Sequence, residues 1–205
     1  MSFFQNTCKP EGLAGKLMVS MMNAGHPPMA EWGFSHIQAP GDAACLDIGC
    51  GGGANLRRLL KKCPQGHVTG IDYSDISVEK SRSANRAAIK GGCCTVLQGN
   101  VMALPFAAEA FDLVTAFETV YFWPDITEAF AQVHRVLKKG GSFLICNELD
   151  GEKPGGEKWP SMIQGMRLYT AGQLKAALVH AGFSHITSAT STTGWLCMVC
   201  EKQST

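Results

Sequence analysis

The densest chemistry in this chain is the run Asp47-Ile48-Gly49-Cys50-Gly51-Gly52-Gly53, a carboxylate followed by four glycines. Glycine reaches positive φ without a Cβ clash and lets a ligand lie against the main chain. The apolar run Ala44 to Ile48 leads in, and a helical pattern with Leu56, Leu59 and Leu60 leads out from about Ala54. The start of that helix offers unpaired N–H groups and a positive dipole end. A second acid, Asp72, closes the run His67-Val68-Thr69-Gly70-Ile71. A carboxylate there, about 20 residues past the glycines, can accept from both hydroxyls of a ribose. The plainer alternative is a tight turn, with Asp72 joining Ser74 and Asp75 in capping the next helix.

Further candidates lie at the tip of a later strand, Phe117-Glu118-Thr119-Val120-Tyr121-Phe122-Trp123. Phe117 and Glu118 can border a ligand at the strand tips, and Glu118 or Tyr121 can orient or deprotonate a substrate. Tyr121, Phe122 and Trp123 can equally pack the following helix. His26, beside Pro27-Pro28, can be a base or a cap for that turn. Met18, Met21, Met22, Met29, Trp32, Trp159, Met162, Met166 and Tyr169 suit an adaptable apolar pocket, although methionines at helical spacing more often fill a core. Cys197-x-x-Cys200 has metal-ligand spacing, but positions three apart on a strand face opposite sides. No metal is expected, and reduced buried thiols are the default, including Cys50 and Cys146.

The elements that must hold these residues are legible from Ala43 onward. Short apolar runs alternate with helical stretches: Ala44–Ile48, His67–Ile71, Cys94–Leu97, Phe111–Phe117 and Ser142–Cys146 as strands, and helices from Ala54, over Val78 to Lys90 and over Asp125 to Lys139. Asp125 and Glu128 cap the last of these, and Gly140-Gly141 stops it. Such alternation means an α/β fold on a parallel sheet buried on both faces. Toward the end, Thr170-x-x-Gln173 opens a helix that Gly182 closes. His185–Ser191 and Trp195–Glu201 follow, with a link too short for a helical crossover, so an antiparallel strand ends the sheet. Upstream, Glu11 to Ile37 reads as helical, broken at Asn23 to Pro28, with the prolines opening a second helix.

Composition narrows the classes. The chain has 205 residues, 18 Lys+Arg against 17 Asp+Glu, and a net charge of +1. Without a basic stripe it is no electrostatic binder of nucleic acid or membrane surfaces. With 45% hydrophobic and 17% charged residues it suits a packed core. Nine cysteines are an odd number and too few for a disulfide scaffold. The first residues lack the basic and apolar regions of a signal peptide, and no apolar run is long enough to span a membrane. Cytoplasmic localisation is expected.

In their order, these segments resemble the class I S-adenosylmethionine-dependent methyltransferases, from about Ala43 to Glu201. Asp47 to Gly53 matches the cofactor loop, Gly70-Ile71-Asp72-Tyr73-Ser74 the ribose segment, and Gln98-Gly99-Asn100-Val101 with Leu104-Pro105-Phe106 the adenine segment. Phe111-Asp112-Leu113-Val114 matches the fourth strand and His134 to Gly141 the approach to the fifth. The resemblance implies a Rossmann-like, doubly wound, seven-stranded sheet, mostly parallel with an antiparallel last strand, plus N-terminal helices. It implies S-adenosyl-L-methionine as cofactor, bound through Asp47, Gly49, Cys50, Gly51, Gly53, Asp72, Tyr73, Asn100, Val101 and Phe117. Glu118, Tyr121 and His26 become catalytic candidates for direct in-line methyl transfer to a small-molecule O, N, S or C nucleophile. Residues 1–40 would form a helical cap, 43–150 the cofactor core, 151–169 a lid, and 170–205 a helix and hairpin. Asn100 stands where the family usually has an acid, and Lys139 where it has a proline. A nicotinamide oxidoreductase and a non-catalytic cofactor-binding regulator remain the alternatives, and oligomeric state stays open.

Overall fold

The computed structural model describes residues 27–152, 156 and 158–204. Expectations for 1–26, including His26, lie outside these residues. The elements are α1 (Pro27–Ser35), β1 (Ala44–Ile48), α2 (Ala54–Lys62), β2 (His67–Asp72), α3 (Asp75–Ala84), α4 (Arg86–Lys90), β3 (Cys94–Gln98), β4 (Phe111–Phe117), α5 (Ile126–Val136), β5 (Leu137–Asn147), α6 (Lys158–Met162), α7 (Ala171–His180), β6 (Phe183–Thr190) and β7 (Leu196–Lys202). One seven-stranded sheet runs in the order β3-β2-β1-β4-β5-β7-β6. Strands β1 to β5 are parallel, and β7 runs antiparallel to both its neighbours. The chain leaves β1 toward β2 and returns to β4 on its other side, which makes β1/β4 the switch point where such sheets open a crevice.

The central strands are apolar on both faces because helices cover both. Leu46 and Ile48 point into one layer with Val114, Phe130 and Leu174. Cys45, the residue before Leu46, points into the other with Leu56, Leu59 and Leu113. The same alternation separates Cys197 from Cys200: each is 1% exposed, and they belong to opposite layers. No helix among the described residues is long and apolar enough to cross a membrane.

Two helix boundaries differ from expectation. The helix read over Val78 to Lys90 is divided at Asn85, whose backbone leaves the helical region at φ −112 and ψ 19. The helix read through Lys139 ends at Val136. Leu137, fully buried, pairs with Phe111 instead as the first residue of β5, and Gly140 at φ 75 lies where the register with β4 shifts. Burying Leu137 in the sheet outweighs continuing a helix into lysines. The caps match expectation. The Asp125 side chain accepts from the Thr127 and Glu128 N–H groups, and Thr170 and Gln173 form a reciprocal capping box.

Asp125→Ala removes the side-chain acceptor that caps the start of α5. It should cost about 1 kcal/mol, read as a lower denaturant midpoint with an unchanged m-value.

Candidate active site

Five parallel strands end on one edge of the sheet, and that edge carries the candidate residues. After β1 the chain turns sharply through Gly49 (φ 71), Gly51 (φ 51) and Gly53 (φ 78). The N–H groups of Gly49 and Cys50 donate to the Ile71 carbonyl at 2.8 and 3.1 Å, which sews the turn to β2. A Cβ at Gly49 would strike Thr119, and one at Gly53 would strike Asn85 and Ser81. At Gly51 a Cβ would meet nothing within 4 Å, so this part of the turn faces open space. Asn85 holds the far side, its Nδ2 donating to the Gly53 carbonyl at 3.1 Å. Burial raises the Cys50 thiol well above its ordinary value, which keeps it a packing group with Ser81.

Two carboxylates flank the turn. Asp72 accepts from the Gly51 N–H through Oδ2 and from the Ser74 N–H through Oδ1, both at 2.9 Å. It therefore ties the β2 tip back to the glycine turn, and it keeps lone pairs for further donors. Burial raises its pKa, and the backbone N–H groups work against that rise. Asp47 is 2% exposed and accepts from the Thr115 hydroxyl at 2.6 Å. Burial lifts its carboxyl to about 7, partly opposed by Thr115 and reinforced by Asp72. A buried carboxyl raised this far is suited to a cationic partner.

The next two strand tips complete the edge. Tyr73 is 48% exposed, a large aromatic face left open beside Asp72. Asn100 uses its amide oxygen to cap the short 3-10 turn Val101–Ala103, accepting from the Met102 N–H, while Val101 is buried. Arg135 anchors the following segment, donating to the Phe106 and Leu104 carbonyls at 2.6 and 2.8 Å. Phe117 is buried under α1 against Phe34, with ring centroids 4.7 Å apart. The close approach is set at Gly33, where a Cβ would lie 2.8 Å from both Phe117 and the Cys146 sulfur.

Glu118 takes a left-handed backbone, φ 57, which is costly for a non-glycine residue and common at functional sites. Its N–H donates to the Cys146 carbonyl at 3.0 Å, and its carboxylate accepts from the Glu148 N–H and from the Tyr121 hydroxyl. Tyr121 is placed differently from a surface acid–base group. It is 2% exposed, its oxygen accepts from the Leu149 N–H at 2.8 Å, and its proton is shared between Glu118 and the Leu149 carbonyl. Burial first, then Glu118, raises its pKa well above the ordinary value. This phenol braces Glu118 and the chain after β5. Arg167 donates its N–H to the Tyr121 carbonyl, so residues beyond α6 dock on the same brace.

Thr115, Thr119, Asn85 and Arg135 support the site and were not singled out in the sequence. Thr115 left a signal, a hydroxyl within an otherwise apolar strand; the others depend on contacts between distant segments. A separate cleft of about 650 Å3, lined by Glu79, Arg82, Arg86 and Thr95 among others, lies beside edge strand β3 and includes none of the site residues.

A methyltransferase domain family matches residues 46–145. The O-methyltransferase rstn1 of Aspergillus nomiae is 31% identical over 145 residues, 69% of this chain and 64% of that protein. Cycloartenol-C-24-methyltransferase 1 of Oryza sativa subsp. japonica is 33% identical over 100 residues, 49% of this chain and 29% of that protein. The chain thus covers well under two thirds of the sterol methyltransferases it matches. Among solved structures, the complex between the Haloferax volcanii Trm112 methyltransferase activator and a methyltransferase contains a chain with TM-score 0.84 and 21% identity, covering 93% of this chain and 95% of that one. Geranyl diphosphate C-methyltransferase from Streptomyces coelicolor A3(2), solved with S-adenosyl-L-homocysteine, gives TM-score 0.73 at 16% identity, covering 85% of this chain and 75% of that one. These two likenesses establish a shared fold.

The raised carboxyl of Asp47 makes folding pH-dependent. Its pKa is higher in the native state than unfolded, so its contribution is present in full below about pH 4 and is lost as pH rises through about 7. Asp47→Asn should flatten that fall in ligand-free thermal melts between pH 5 and 8. In the wild type, affinity for S-adenosylmethionine should rise through the same interval as the carboxylate forms, and Asp47→Asn should lose that rise, as read by calorimetry. Gly51→Ala, in open space but at φ 51, should cost about 1 kcal/mol of stability and weaken the same ligand by about tenfold or more.

Proposed function

We propose that the chain, which matches a methyltransferase domain over residues 46–145, is a class I S-adenosylmethionine-dependent methyltransferase that catalyses methyl transfer from S-adenosylmethionine to a small-molecule nucleophile. The observation that carries this is the Asp72–Gly51 tie beside a Cβ-free gap, with a second carboxylate buried at Asp47. These residues fit the donor. Asp72 has lone pairs for ribose hydroxyls, Asp47 answers the positive charge of the amino-acid end, and Gly51 leaves room for the chain between them. Asn100, neutral and with its oxygen already capping a turn, has one remaining lone pair for the adenine amino group. Tyr73, following Asp72 in the chain, leaves an aromatic ring half-exposed.

When bound, S-adenosylmethionine supplies a methyl group already activated on a sulfonium. The protein's part is to align the acceptor, exclude water and take a proton where the acceptor carries one. Alignment alone is worth about 7–11 kcal/mol in a well-formed near-attack geometry. Glu118 is the group placed to orient or deprotonate the acceptor, since Tyr121, the Glu148 N–H and the Cys146 carbonyl hold it in one posture. Tyr121 is a positioning residue for it. The acceptor has a largely apolar body: α1 and the 158–168 segment bring Met29, Phe34, Ile163 and Met166 to this end of the sheet. Names of sterol and squalene methyltransferases among the relatives agree with such a body. Residues 158–169 act as its cover. All eight described cysteines are free, which suits a reducing compartment such as the cytoplasm.

Calorimetry on ligand-stripped protein should show binding of S-adenosylmethionine and none of NAD. Transfer of labelled methyl to a panel of phenol, thiol, amine and quinol acceptors should then identify the acceptor class. Against a turned-over acceptor, Glu118→Gln should reduce kcat by about a hundredfold or more with little change in donor affinity. Equal turnover would remove Glu118 from the chemistry.

A further inference from the structure

Asn147 is the last residue of β5 and pairs with Leu196 in the β5–β7 ladder. It is 1% exposed, and neither its Nδ2 nor its Oδ1 has a hydrogen-bond partner among the described residues. Buried amides are almost always paired, because each unpaired polar group costs about 1–3 kcal/mol. Leucine has nearly the same shape and would avoid that cost at a strand end surrounded by apolar side chains. A buried asparagine whose amide finds no partner among the described residues is a group suited to a partner from outside them.

Its position indicates which partner. Side chains alternate across a strand. Phe143 and Ile145 face one layer, with Phe130 and Leu174, whereas Leu144 and Cys146 face the other. Asn147 falls on the first face. Two residues on, Leu149 packs with Tyr121, Ile163 and Met166. The amide therefore sits where the sheet core ends and the cluster under the 158–168 segment begins. Its chain neighbours hold Glu118 from both sides, through the Cys146 carbonyl and the Glu148 N–H. The donor groups lie on β1 and β2, and β5 lies beyond β4 on the opposite side of the switch point. An acceptor entering behind the methyl group comes in over the β4 and β5 tips.

Resting on the methyl-transfer reading above, we infer that Asn147 is a specificity residue that recognises an uncharged oxygen on the acceptor, a hydroxyl or a carbonyl. The amide carries a donor and an acceptor on adjacent atoms and no charge, which matches a hydroxyl in both directions and a carbonyl in one. It offers nothing special to an ammonium or a phosphate. A site built this way rejects an acceptor lacking the oxygen, because its own polar atoms then stay unpaired.

The test compares wild type, Asn147→Leu and Asn147→Ala. All three should bind S-adenosylmethionine equally by calorimetry. A wild type that binds none removes the methyl-transfer reading and this assignment with it. Labelled-methyl transfer is then measured to phenol, catechol, hydroquinone and a long-chain alcohol, with an alkanethiol for comparison. N147L should lose about tenfold or more in kcat/KM on the hydroxyl compounds, change by no more than about twofold on the thiol, and melt at or above the wild-type temperature, since it deletes two unpaired polar atoms. N147A carries the same comparison should N147L fold poorly. Equal kcat/KM for wild type and variants on every hydroxyl compound, or wild-type turnover of none of them, overturns the assignment.

Discussion

A carboxylate that reaches from the end of one strand to the backbone of a neighbouring turn organises this molecule's chemistry. Asp72, at the tip of β2, accepts from the Gly51 N–H after β1 and from the Ser74 N–H before α3. One side chain thereby sets the spacing of two strand tips and two helix starts. The glycines make this possible because a turn with three positive-φ positions brings its N–H groups inward. The helices that follow are held in turn by Asn85, which grips the Gly53 carbonyl from behind. The gap left at Gly51 is a consequence of these ties.

The edge is kept dry and therefore charged at a cost. Asp47 is buried with one hydroxyl for company, and its carboxyl titrates near neutrality. Such a group favours the folded state least when ionised and unpartnered, so a cationic ligand offsets a penalty that the empty fold carries. The cysteines nearby show the opposite use of burial. Cys45 and Cys63 lie 3.6 Å apart, and Cys146 faces Cys197 across β5 and β7, yet burial and mutual hydrogen bonding raise Cys45 and Cys146 far above the ordinary thiol range. They fill space between helix and sheet and are poor nucleophiles.

On the other side of the switch point, the organising group is Tyr121. Its hydroxyl joins Glu118 to Leu149, and its carbonyl takes the Arg167 N–H, so the β4 tip, the end of β5 and the segment beyond α6 are tied together. The strained backbone at Glu118 is sustained by these contacts. The two halves of this edge thus rest on two separate braces that meet where Thr119 abuts Gly49.

Local chemistry was readable in the residue order. Alternating strand and helix patterns, the glycine turn, the capping residues Asp125 and Thr170, and the short link before β7 each depend on neighbours within a few positions. The mostly parallel sheet with its antiparallel seventh strand followed from them. Asp47, Gly51 and Asp72 stood out because a turn between a strand and a helix needs those residue types. What a side chain faces is another matter, since it depends on segments far apart along the chain. Tyr121 became a buried brace because Leu149 comes back over it, and Leu137 left its helix because Phe111 was there to pair with it. Thr115 under Asp47, Asn85 behind Gly53 and Asn147 with no partner among the described residues were decided only when β1, β4, β5 and α3 packed together. Sequence spacing sets which residues lie on one face of an element; only tertiary packing sets which polar atoms on that face find partners.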